Sequence, residues 1–180
     1  LAEAQLMREQ RDYAASLKVL KTATARFGDD PDLLYEQAMM TEKIGNFDEM
    51  EALLRKVIAI KPDYHHAYNA LGYSLAERNQ RLPEAKLLIE QALKLAPGEP
   101  FIVDSLGWVE FRLGNLAEAS RLLRQAHAGR PDAEIAAHLG EVLWVAGDKD
   151  EARSVFAEAA RRDPGNEALR EALERLKVRP

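Results

Sequence analysis

The sequence predicts an all-α protein that is built from repeated pairs of antiparallel helices. Apolar residues recur with helical spacing on both sides of short turns, as at Leu116, Ala119, Leu123 and Ala126. This whole pattern then returns every 33 to 35 residues along the chain. The two observations together predict a series of two-helix units.

Small residues and prolines carry the repeat. The Leu-Gly pair recurs at Leu71-Gly72, Leu106-Gly107 and Leu139-Gly140, and small residues recur in the second helices at Ala85, Ala119, Ala152, Ala92, Ala126 and Ala159. Prolines close the units at Pro62, Pro97, Pro131 and Pro164, where they prevent the helix from continuing. Glycine inside a helix costs about 1 kcal/mol relative to alanine. We expect close packing of the two helices at these small residues to offset that cost.

The turns and the chain ends complete the predicted organisation. Each turn has a glycine that ends one helix and a polar residue that begins the next, at Gly45-Asn46, Gly114-Asn115 and Gly147-Asp148. We predict a single domain over residues 1–180 that consists of a partial repeat at 1–28, repeats at 32–62, 63–97, 98–131 and 132–164, and a capping helix at 166–177. The abrupt apolar start at Leu1 predicts a C-terminal fragment of a longer protein, with further repeats or another domain upstream.

Composition excludes several classes of function. The net charge is −5 and the basic residues are scattered among glutamates, so nucleic acid is not expected as a partner. The chain has no cysteine, which excludes disulfides, thiol nucleophiles and cysteine-ligated metals. No apolar stretch approaches the roughly 18 residues that a membrane span needs, so we expect no membrane insertion by this segment.

The sequence carries no recognisable catalytic motif, which predicts that the chain is not an enzyme. His65 and His66 are adjacent and are expected to diverge on a solvated helix start, where they cannot share a metal. Glu134, His138 and Glu141 share a helix face and could hold a metal, but we interpret them as exposed polar residues on a charged helix. A phosphate-binding glycine loop, a Ser-His-Asp order and an HExxH sequence are all missing. We therefore predict no catalytic residue, no metal and no cofactor.

The repeated residues resemble a known family. Leu-Gly in the first helix, Gly-Asn or Gly-Asp at the turn, alanine in the second helix and a closing proline resemble the tetratricopeptide repeat (TPR). The resemblance covers nearly the whole chain and implies a right-handed α-solenoid, a superhelix of antiparallel helix pairs whose first helices line a concave groove. One departure is that the aromatic residue expected early in the first helix occurs only at Tyr68.

The resemblance also places specific residues in the groove, where a protein or peptide partner would bind. Asp104, Trp108 and Phe111 line one helix face by their spacing alone. For Trp108 we keep two interpretations, the centre of the groove or a core residue packed flat against the neighbouring first helix. A clamp for a C-terminal carboxylate is not expected, because only Asn69 matches that subtype. The predicted groove residues are Tyr35, Met39, Asn69, Tyr73, Asp104, Trp108, Phe111, Arg112, Glu141 and Trp144.

A closer resemblance concerns three stretches, residues 68–93, 104–119 and 138–144. They look like the C-terminal part of proteobacterial outer-membrane TPR lipoproteins, among them the LbcA type of adaptor, which binds and activates a periplasmic carboxyl-terminal processing protease. This resemblance implies a non-catalytic scaffold that helps to deliver substrates, held at the outer membrane in the periplasm by an upstream lipid anchor. The alternatives are a structural or self-association module of an envelope complex and, for the compartment, the cytoplasm.

Overall fold

The fold is all-α, as the sequence predicts. A computed structural model describes residues 2–178, and in that range it has eleven helices and no strand. None of these helices is both long and apolar enough to cross a bilayer. The helices are α1 (Ala2–Glu9), α2 (Tyr13–Phe27), α3 (Pro31–Lys43), α4 (Phe47–Ile60), α5 (His65–Glu77), α6 (Leu82–Leu95), α7 (Pro100–Arg112), α8 (Leu116–Gly129), α9 (Ala133–Ala146), α10 (Lys149–Arg162) and α11 (Glu167–Leu176).

Local sequence signals set the helix ends. The side chain of Asp30 accepts hydrogen bonds from the amides of Asp32 and Leu33, which satisfies two unpaired donors at the start of α3. Gly147 ends α9 with φ of 99°, a left-handed conformation that suits glycine, and its amide donates to the carbonyl of Leu143. The predicted helix stop is therefore confirmed at this turn.

The chain forms two compact units, residues 1–71 and 72–180, and the boundary falls inside α5. In the first unit, α1 to α4 pack in chain order, and Ala4, Leu17, Leu20, Leu33 and Met40 form a core among α1 to α3. In the second unit, one core lies among α8 to α11 and includes Leu123, Leu139, Val142, Leu143, Phe156 and Leu169. The assignment of residues 1–180 to a single domain with the repeat ranges above stays a prediction. Leu1, Arg179 and Pro180 lie outside the described residues.

The mid-helix glycines lie where two helices approach most closely. A Cβ added to Gly107 would be 2.7 Å from Cγ of Leu123 on the paired second helix. A Cβ at Gly72 would be 2.8 Å from the carbonyl oxygen of Ala85, and one at Gly140 would overlap the ring of Phe156. Both distances are shorter than any ordinary carbon contact. The packing explanation for the Leu-Gly column is therefore confirmed.

We expect Gly140→Ala to lower the free energy of unfolding by about 1–3 kcal/mol, because the new methyl group overpacks a filled core around Phe156. The better helix propensity of alanine opposes only part of this loss. Gly165→Ala is the matched control, since a Cβ there meets no atom within 4 Å. Urea unfolding monitored by circular dichroism measures both variants. Equal stability of the two variants would contradict the packing explanation.

Candidate partner-binding face

The second unit brings side chains from four helices together on one surface, which we call the first-helix face. It is formed by the first helices of successive pairs (the end of α5, then α7 and α9) and by α11. Helical periodicity sets which residues of each helix reach this face, and the repeat sets which residues of neighbouring helices meet there. Its members are Tyr73, Glu77, Asp104, Trp108, Phe111, Arg112, His138, Glu141 and Arg175.

A buried histidine lies at the centre of this face. Nδ1 of His138 is 3.0 Å from both carboxylate oxygens of Asp104, and both side chains are almost wholly buried. The ring of His138 stacks on that of Trp108, with 4.3 Å between centroids and 23° between planes. Nε2 of His138 is 3.3 Å from the hydroxyl of Tyr73. His138 therefore joins α5, α7 and α9.

Electrostatics favour the charged form of this histidine. Burial alone would lower the pKa of His138, because it penalises a buried cation. The charge of Asp104 and its hydrogen bond act in the opposite direction, together with the charges of Glu77 and Glu134. The net result is a pKa of His138 above the usual value. The charged form of His138 is therefore favoured beside the carboxylate of Asp104.

Trp108 packs flat between neighbouring first helices, as the core interpretation of this residue expects. Its side chain is 1% exposed, and Nε1 donates a 2.7 Å hydrogen bond to Oε2 of Glu77. The guanidinium of Arg112 lies 4.8 Å above the ring centroid, and the ring of Phe111 is 5.2 Å away. A partner role for Trp108 stays a prediction, and any such partner would first meet the residues that cover it.

Glu141 fixes the C-terminal helix to this face. It accepts hydrogen bonds from Nε and Nη2 of Arg175, at 3.1 and 2.5 Å, and its side chain is 8% exposed. The hydrogen bond with Glu141 raises the pKa of Arg175. The interpretation of His138 and Glu141 as exposed residues is wrong, because α7 and α11 cover them, whereas Glu134 is exposed. Among residues 2–178 no cluster of three potential metal ligands occurs.

Four of the predicted groove residues in this unit are partly exposed: Tyr73, Phe111, Arg112 and Trp144. Trp144 is bracketed by cations, since Nζ of Lys149 lies 5.0 Å and the guanidinium of Arg153 lies 5.3 Å from its ring centroid. The carboxylates of Asp104 and Glu141 are buried in the ion pairs described above. This surface thus combines buried carboxylates with partly exposed aromatic side chains.

The remaining predicted groove residues, Tyr35, Met39 and Asn69, belong to the first unit and are partly exposed. Met39 packs against the core of that unit, and the ring of Tyr35 is 5.4 Å from that of Tyr64. The expectation that His65 and His66 diverge is wrong. Both residues lie in the first turn of α5, and their ring centroids are 4.0 Å apart.

Sequence reasoning missed His138 and Arg175 as members of the face. A signal was present, because the two charged pairs, Asp104 with His138 and Glu141 with Arg175, are both separated by 34 residues. Complementary charges at one repeat length indicate contact between adjacent first helices. Alignment of the repeats on their Leu-Gly pairs instead places Ala137 opposite Asp104, one residue before the observed partner His138.

Repeated helix pairs with interlocked first helices define a helical-repeat protein of the scaffold class. The tetratricopeptide repeat family matches the chain at residues 1–65, 43–100 and 105–167. The chain therefore belongs to the tetratricopeptide repeat family, and its fold is an all-α TPR solenoid. TPR domains bind protein partners and are in general non-catalytic.

Individual relatives agree with this assignment. The chain is 44% identical over 141 residues to the TPR repeat-containing protein PA4667 of Pseudomonas aeruginosa, a match that covers 78% of this chain and 24% of the relative. The chain thus spans about a quarter of that relative's length. The crystal structure of TTC0263, a thermophilic TPR protein of Thermus thermophilus, has a TM-score of 0.87 and 24% identity over 99% of this chain and 97% of its own. MamA of Desulfovibrio magneticus has a TM-score of 0.70 and 18% identity over 92% and 94%. These two structures bear on the fold alone.

Proposed function

We propose that this chain is the protein-binding scaffold of a periplasmic lipoprotein that is held at the outer membrane by an upstream lipid anchor. In this proposal it acts as an LbcA-type adaptor. It binds and activates a carboxyl-terminal processing protease and helps to deliver the protease's substrates.

The observation that carries the scaffold role is the combination of side chains on the first-helix face and its neighbour Trp144 on α9. Phe111 and Trp144 present partly exposed aromatic surface, and the pairs of His138 with Asp104 and of Arg175 with Glu141 link the helices. Aromatic side chains on a rigid support concentrate binding energy at protein interfaces, because they bury a large area with little loss of conformational freedom. Arg112 adds a cation at the edge of the same surface.

The adaptor role rests on resemblance in sequence. Residues 68–93, 104–119 and 138–144 look like the end of the outer-membrane TPR lipoproteins that act in this way. The 44% identity to a TPR protein of Pseudomonas aeruginosa supports a bacterial relative of this kind. The partner, the anchor and the compartment all belong to this proposal.

A binding measurement with the purified protease tests the proposal. We expect a Phe111→Ala, Trp144→Ala double variant to bind at least about tenfold more weakly than the wild type, since interface aromatics commonly contribute about 2 kcal/mol or more. Leu87→Ala is the control, because Leu87 is 67% exposed on the second helix α6, away from the first-helix face. Substrate degradation by the protease, measured with each variant, reports activation. If the wild type neither binds nor activates the protease, the adaptor role is wrong.

A specific observation favours one second candidate, a self-association module. Leu6 and Phe27 on α1 and α2 are 55% and 69% exposed, which leaves apolar surface uncovered on the first unit. Sedimentation velocity over a roughly hundredfold range of concentration tests this candidate by mass action. A mass that stays monomeric throughout favours the adaptor, and a dimer that Phe27→Asp dissolves favours self-association.

A further inference from the structure

Three aromatic rings of the first unit form a compact cluster. The ring of Tyr35 is 5.4 Å from that of Tyr64 and 6.1 Å from that of His66, and the rings of Tyr64 and His66 are 6.0 Å apart. Tyr35 and Tyr64 are partly exposed, and His66 is exposed. Electron-rich ring faces at a protein surface attract cations.

Carboxylates lie close to this cluster. The hydroxyl of Tyr64 donates a 2.8 Å hydrogen bond to Oδ1 of Asp32. Burial, followed by the charges of Glu36 and Glu42, raises the pKa of Tyr35 to about 12. Burial, followed by the hydrogen bond to Asp32, also raises the pKa of Tyr64. Both phenols thus stay neutral at physiological pH, next to several negative charges.

A cavity of about 310 Å³ opens beside Tyr64 and is lined by Gln5, Arg8, Asp32 and Glu36, among others. Two carboxylates face a single guanidinium there, so the charged lining is net negative. This volume is at the small end of the range for ligand pockets, and it suits a single long side chain rather than a folded partner.

Cations of the chain itself already lie on this surface. Nη1 of Arg8 is 3.1 Å from Oε2 of Glu36, and Nζ of Lys61 is 5.3 Å from the ring centroid of Tyr64. The Arg8–Glu36 pair is exposed, at 42% and 36% of the side-chain surfaces, so water screens it and a competitor can displace it at low cost.

We propose that the aromatic–acidic surface, formed by Tyr35, Tyr64, His66, Asp32 and Glu36, binds an arginine or lysine side chain of a partner protein segment. The cation lies against the tyrosine faces and its N–H groups donate to the carboxylates. This inference rests on the proposed scaffold function and adds the chemical character of the segment that the first unit recognises.

The test uses the whole chain and two blocked synthetic peptides. One contains three arginines separated by alanines, and in the other each arginine is replaced by citrulline, which keeps the shape and removes the charge. By calorimetry we expect the arginine peptide to bind at least about tenfold more tightly than the citrulline peptide. Amide chemical shifts should change mainly at residues 32–36 and 64–66. Binding should weaken between about 0.05 and 1 M salt, because salt screens exposed charges.

Matched variants locate the binding. Asp32→Asn with Glu36→Gln keeps the hydrogen-bond acceptors and should lose at least about tenfold in affinity for the arginine peptide. Asp48→Asn with Asp150→Asn removes two exposed carboxylates elsewhere and should lose less than about twofold. Equal binding of the two peptides by the wild type, or unchanged binding by the first variant, overturns the inference. If the protein still binds the protease after either of these results, the scaffold proposal stands although the arginine-binding inference fails.

Discussion

Trp108→Ala is expected to lower the free energy of unfolding by about 3–5 kcal/mol, the usual cost of truncating a buried tryptophan. The substitution removes the ring that stacks on His138 and the donor that satisfies Glu77, and it leaves Arg112 without its aromatic support. Urea unfolding at about pH 7, followed by far-ultraviolet circular dichroism, measures the loss.

Trp144→Ala is the comparison, because Trp144 is only partly buried and makes cation–π contacts at the surface. We expect its cost to be less than about half of that at Trp108. Emission of the Trp144→Phe protein, in which Trp108 is the remaining tryptophan, should be blue-shifted and resistant to iodide quenching. Red-shifted, readily quenched emission would contradict the burial of Trp108.

The buried pair of His138 and Asp104 predicts a stability that depends on pH. Because the folded protein raises the pKa of His138, the folded state binds the proton more tightly than the unfolded state. The stabilisation is fully present below the unfolded pKa of about 6.5. It is lost as the pH rises through the higher folded value. Thermal melts between about pH 5.5 and 9 should therefore show a component that falls with rising pH and that is missing in His138→Gln.

Asp104→Asn should remove the same component and cost about 3 kcal/mol near pH 6, since it leaves a buried histidine without its counter-charge. The cost should fall as the pH rises through the raised pKa of His138, because the neutral ring no longer needs a counter-charge. Asp150→Asn, at a fully exposed carboxylate, is the control and should change stability little. An Asp104→Asn cost that does not depend on pH would show that the pair contributes packing only.

The helix pattern could be predicted from sequence because it depends on local and periodic signals. The Leu-Gly column identified the close contacts of Gly107 and Gly140, since small residues at a fixed period have a steric cause that adjacent helices share. Gly147 and its following aspartate likewise indicated a helix end.

Burial on the first-helix face could not be predicted in the same way. Whether Trp108 is covered depends on His138, which comes from the next pair and occupies a column where the other repeats carry no histidine. Glu141 reads as an exposed helix residue until α11 places Arg175 against it. Phe111 and Trp144 are partly exposed, and their role in the partner-binding groove stays a prediction.

The ion pair of Glu141 with Arg175 is the last of a series of contacts that link each first helix to its neighbour. Links of this kind couple only adjacent pairs, so cooperativity passes along the unit step by step. A substitution at His138 should therefore weaken the coupling between α7 and α9, while the shared apolar core of α8 to α11 still joins the pairs. Single side chains on the first-helix face thus contribute, together with this core, to how strongly the unfolding of one helix pair is coupled to that of the next.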